Sequence, residues 1–263
     1  MKEFFGFGGY ARPAEGFLSW QHFLFVGLLL SGMVALALWL GKKNRHGTPR
    51  QKNKVMIAAT LLIDSLEIFK IVILCLRSGS TEAILYNLPL FLCSIQLIAI
   101  PLAAFSKGRI QEAALDFVCI FGILGAVFGT IGAGQNYNAY PVLSLDNVVS
   151  GLTHSISGFA SLYIVFAKMA SMKRKNIYIS YSILLIFCFA AYITNILLPY
   201  NYMFLMAGDG TPYDIFYNLV DGHRVWYPVI VVGLFLLYIS LYYYLVYLCR
   251  RKSKEKKEPP VCV

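Results

Sequence analysis

Charge is what this sequence has least of. Charged residues make up 14% of its 263 positions, where a soluble domain carries about a quarter. A chain so poor in charge has too few solvated side chains to cover a globule, which excludes an ordinary soluble domain. Paired cysteines are missing as well. Cys75, Cys93, Cys119, Cys188, Cys249 and Cys262 contain no CxxC spacing, which excludes a zinc site and a redox dithiol of that type, and neither metal nor cofactor is expected. The closing PVCV does not read as a lipidation box. The last long apolar run, 226–248, has no lysine, so it offers no amine for a retinal Schiff base. No internal repeat and no matched pair of Gly/Pro-interrupted apolar runs is visible, which counts against an inverted-repeat transporter. No cleavable leader is expected, because the first long apolar run is followed directly by Lys42 and Lys43.

What the chain has in abundance is apolar sequence. Hydrophobic residues make up 58% and the mean hydropathy is +0.64. A bilayer core about 30 Å thick needs roughly 20 apolar helical residues to cross it. Seven segments qualify: 21–41, 55–76, 83–105, 113–132, 148–170, 177–198 and 226–248. The expected fold is all-α, a polytopic membrane bundle of seven transmembrane helices. It divides into an external interfacial segment (1–20), the membrane domain (21–248) and a basic tail (249–263). Eighteen of the 23 Lys and Arg fall in alternate connections, led by the 42–54 loop and the tail. The positive-inside rule then places the C-terminus in the cytoplasm and the N-terminus outside, in a cell membrane of bacterial plasma-membrane type. The net charge of +10 is a topology signal of this kind, and no nucleic-acid partner is expected. Phe4, Phe5, Phe7, Tyr10, Phe17 and Trp20 read as anchors of a tail at the outer interface.

Polar residues inside apolar spans are costly and mark candidate sites. Segment 87–101, NLPLFLCSIQLIAIP, carries Asn87, Cys93, Ser94 and Gln96. As a helix it would hold Cys93 about 15 Å below the outer surface. The fifth span supplies His154, about 9 Å down by the same rise. A thiol and an imidazole at similar depth form the minimal set for nucleophilic acyl transfer, with imidazole taking the thiol proton; Ser155 is an alternative nucleophile. The second span carries Asp64, Glu67 and Lys70 along one side. That ladder is either a neutralised polar seam or a proton relay or headgroup contact. Asn195, Asn201 and Tyr202 lie near the outer end of the sixth span, where they either hold a substrate or an oxyanion or cap the helix. Asp116 reads as interfacial.

The runs LPLFLC (88–93), LTHSISGFASLYIVF (152–166) and TNILLPYNYMFL (194–205) resemble the YwaF family of integral membrane proteins. Its relatives include a eukaryotic transmembrane protein regarded as a cysteine-dependent acyltransferase for ether phospholipids. The resemblance implies Cys93 as nucleophile and His154 as its partner. It also implies Asn195, Asn201 and Tyr202 as the polar positions around NYMFL, and membrane lipids as substrate. Many members have LPLHLC where this chain has Phe91. Three functions therefore stand side by side: a lipid acyltransferase or acyl hydrolase using Cys93 and His154, with Asn87 and Gln96 lining the substrate path; a permease coupled through Glu67 and Lys70; and a non-catalytic membrane protein.

Overall fold

A computed structural model describes residues 2–255, so Cys262 and the end of the basic tail lie outside the described residues. The described residues are helical and turn structure without strands. The long helices are α1 (Trp20–Asn44), α2 (Pro49–Ser78), α3 (Gln96–Phe105), α4 (Gly108–Thr130), α5 (Leu145–Phe166), α6 (Ile177–Leu197) and α7 (Trp226–Glu255). Five stretches are long and apolar enough to cross a membrane: α1, α4 with its short continuation to Ala139, α5, the α6 region and α7. α2, at 30 residues, has the length to cross and carries Asp64, Glu67 and Lys70. Its ends are set by local chemistry. Thr48 and Gln51 form a reciprocal capping box with Pro49 in the first turn, and Gly79 closes it at φ 67°.

The chain divides into two compact units, 1–171 and 172–263. In the first, α5 is the hub, packed on α4, α1 and α2. The α4–α5 seam is built from small residues. A side chain at Gly122 would strike the backbone of Ser157, and one at Gly158 would strike Met33 and Ala126. Ser161 Oγ donates to the carbonyl of Cys119 at 2.7 Å across the same seam. Lipid chains are as apolar as leucine, so membrane helices associate through this kind of close backbone approach. The outward faces keep large apolar residues exposed, among them Leu28, Leu61, Ile68 and Phe128.

The third apolar segment is not the continuous helix that its composition predicts. A 3-10 helix covers Thr81–Asn87, residues 88–95 are irregular and turn-like, and only Gln96–Phe105 is α-helical. Pro89 explains the interruption. It lacks an N–H and forces the preceding residue out of the helical region, and Leu88 accordingly sits at φ −62°, ψ 147°. Asp116 also differs from its interfacial reading. It is fully buried, and its carboxylate accepts from the Ser171 N–H at 2.9 Å and the Ser171 hydroxyl at 3.1 Å.

The N-terminal segment is docked onto the first unit rather than lying as a simple tail. Arg77, at the end of α2, donates twice to Asp146 at the start of α5, at 2.7 and 3.0 Å. The Tyr10 hydroxyl donates to the same carboxylate at 2.5 Å. The Val142 N–H donates to Glu15 at 2.7 Å, and Phe17 stacks near the buried ring of His22.

In the second unit, α6 and α7 are joined by the Tyr181–Ser240 hydroxyl contact at 2.6 Å, and Arg174, in the 3-10 turn before α6, lies over the Tyr247 ring of α7.

Two outcomes test the clamp. Asp146→Ala leaves the half-buried Arg77 guanidinium without its carboxylate, a loss of about 1–3 kcal/mol; the detergent-solubilised protein should melt lower and be cleaved faster within residues 1–19. The Tyr10 phenol is pushed up to about 12, first by burial and then by its bond to Asp146. A raised folded-state value means that the stabilisation is complete below the ordinary tyrosine range and disappears as pH rises through about 12. Ultraviolet phenolate titration of wild type against Tyr10→Phe should show one tyrosine ionising late.

Candidate functional site

The break in the third segment positions the thiol. Cys93 lies in the turn 92–95 that leads into α3, and the Gln96 N–H donates back to the Cys93 carbonyl at 3.3 Å. The Ser94 hydroxyl lies 4.0 Å from the Cys93 sulfur.

α4 supplies the common wall. An added Cβ at Gly125 would stand 3.4 Å from the Cβ of Cys93, and one at Gly129 would overlap the imidazole of His154. Gly125 and Gly129 share one face, one turn apart, a rise of about 6 Å. Cys93 and His154 thus come from distant parts of the sequence to neighbouring positions on the same face of α4. Lys70 is paired with Glu67 at 2.5 Å. Glu67 and Lys70 form the ion pair that their spacing suggests.

Gln96 is fully buried at 0% exposure, and neither its Nε2 nor its Oε1 has a hydrogen-bond partner. Asn87 spends its Nδ2 on the Ala83 carbonyl at 2.8 Å, within its own turn. Ser155 is 8% exposed with an unpartnered hydroxyl. It lines an apolar cleft of about 480 Å³ between α1, α2 and α5, together with Leu28, Met33, Leu62 and Phe159.

Asn195, Asn201 and Tyr202 belong to the second unit. Asn195 clasps the backbone of Tyr202 from both sides, donating to its carbonyl at 3.0 Å and accepting from its N–H at 2.7 Å. Asn201 donates to the Ala207 carbonyl and the Asp209 carboxylate and accepts from the Met206 N–H. These bonds brace a turn in which Met203 and Phe204 both adopt positive φ, 57° and 56°, a conformation that non-glycine residues keep only when their surroundings fix it. The polar groups around NYMFL are therefore engaged with loop backbone.

Sequence reasoning missed Gly125 and Gly129. Their signal is the small-residue spacing in GILGAVFG (122–129), which marks a close helix contact. Gly129→Ala should displace the His154 ring and destabilise the protein by about 1–3 kcal/mol. Gly27→Ala, where the added carbon meets nothing within 4 Å, should be neutral or stabilising. Thermal unfolding of both variants in one detergent checks the contrast.

No curated protein and no solved structure matches the chain. The TMEM164 family, a transmembrane family, matches residues 17–247, and the chain belongs to it.

Proposed function

We propose that the chain is a membrane-embedded lipid acyltransferase or acyl hydrolase, with Cys93 as nucleophile and His154 as general base, as the YwaF-type resemblance implies. The observation that carries this reading is the convergence of the two side chains on Gly125 and Gly129, adjacent turns of one face of α4. In the first step His154 takes the thiol proton, and the sulfur bonds to the carbonyl carbon of a lipid ester while the carbonyl electron pair moves onto oxygen. Collapse of that intermediate breaks the ester C–O bond. The leaving alkoxide takes the proton from the imidazolium, which leaves a thioester on Cys93. In the second step an alcohol or water gives its proton to His154 and bonds to the thioester carbon, and the thiolate departs.

The surroundings support lipid as the substrate. The apolar cleft between α1, α2 and α5, lined by Ser155 and not by Cys93 or His154, has room for an acyl chain. The Glu67–Lys70 pair is assigned to the lipid headgroup, and its internal neutralisation favours that role over an ion relay. For topology we propose seven crossings, with α2 and the broken third segment added to the five apolar stretches. The N-terminus is outside and the basic tail is in the cytoplasm of the cell membrane.

The test is turnover of phospholipid esters by purified protein in nanodiscs. Cys93→Ala should abolish it, and His154→Gln should lower it by about 10²–10⁴, with both variants melting near wild type. Wild-type turnover in Cys93→Ala would end the proposal.

A further inference from the structure

Gln96 presents a contradiction that a purely structural role does not resolve. Its side chain is completely enclosed, yet its amide neither donates nor accepts a hydrogen bond. Leaving both halves of a buried amide unpaired is costly, and an apolar residue of similar volume would serve packing better. Its place is specific. Gln96 is the first residue of α3, one turn beyond Cys93, and its own N–H closes that turn on the Cys93 carbonyl. Positions three apart in such a turn face the same way, so the amide and the thiol share one side of the broken segment. The Gln96 amide therefore stands one turn from the candidate nucleophile with its donor and its acceptor both unused.

We propose that Gln96 binds the acyl carbonyl of the lipid ester and orients the group that attacks it. This rests on the acyl-transfer reading above and adds a role to it. The Nε2 amide donates to the carbonyl oxygen, and the bond strengthens as that oxygen gains the electron pair displaced by sulfur. In the second step Oε1 accepts the hydroxyl hydrogen of the incoming alcohol or water until His154 takes that proton. The oxygen of the hydroxyl then bonds to the thioester carbon, and sulfur leaves with the bonding pair. One amide thus meets an acceptor and a donor side by side, which is what an ester carbonyl and an approaching hydroxyl present. Ligand chemistry follows from this: Gln96 distinguishes an ester-linked chain from an ether-linked one, because an ether lacks the carbonyl.

The experiment compares thermal unfolding in nanodiscs of a diacyl phosphatidylcholine with nanodiscs of its dialkyl ether analogue. Wild type should be more stable in the ester lipid by a few degrees. Gln96→Leu should lose that difference while melting at or above wild type in the ether lipid, since it removes an unpaired buried amide. Its Cys93 should alkylate with iodoacetamide at the wild-type rate, and its lipid turnover should fall by about 10²–10³.

An equal ester preference in Gln96→Leu, or none in wild type, would overturn the role. So would a lower melting point in the ether lipid accompanied by slower Cys93 alkylation, the mark of a structural residue. Cys93→Ala separates this proposal from the one it rests on. It should keep the ester preference and lose turnover, so retained turnover removes the acyl-enzyme while leaving carbonyl recognition to be judged by the melting data.

Discussion

The close approach of α4 and α5 is the constraint on which the rest of the first unit depends. Gly122, Ala126 and Gly129 on α4 meet Ser157, Gly158 and His154 on α5 with no space for a further carbon at the glycines. In a bilayer the hydrophobic effect does not press helices together, so contact distance and interhelical hydrogen bonds must do so. Small residues allow the backbones to approach, and Ser161 then reaches the Cys119 carbonyl. The same glycine face continues to Gly125, where it receives Cys93. Packing and candidate chemistry are therefore one feature: the residues that let α4 lie close to α5 also form the wall against which thiol and imidazole stand.

A second consequence concerns the broken segment. Irregular backbone at membrane depth persists only when protein or water covers it. Here Pro89 prevents a continuous helix, and α4 lies against the resulting turn. The second unit shows the same principle in a different form. Asn195 and Asn201 supply the hydrogen bonds that hold two consecutive residues at positive φ in the NYMFL turn.

Much of the fold was legible in sequence because composition reports burial in lipid. The apolar runs that became α1, α4, α5, α6 and α7 are long and nearly free of charge, and the Glu67–Lys70 pair follows from helical spacing alone. What stayed hidden involved contacts distant in sequence or backbone geometry that composition does not encode. Segment 83–105 is apolar enough to look continuous, and only Pro89 signalled the break. The placing of Cys93 and His154 on successive turns of one α4 face needed the tertiary fold. So did the clamp of Arg77, Asp146 and Tyr10, which turns a row of aromatic anchors into a docked segment. Asp116 near a helix end suggested water, whereas Ser171 folds back to bury it. The amides of the sixth-span region left binding and capping open, and their hydrogen bonds are made to backbone.

The central claim is that Cys93 becomes acylated. Its most direct test is peptide mass spectrometry of protein taken from native membranes and digested under conditions that preserve thioesters. The account predicts an acyl mass on the peptide containing Cys93, removed by neutral hydroxylamine and absent from the His154→Gln protein. An unmodified Cys93 peptide under continuous lipid turnover, or an adduct that survives hydroxylamine, would contradict it.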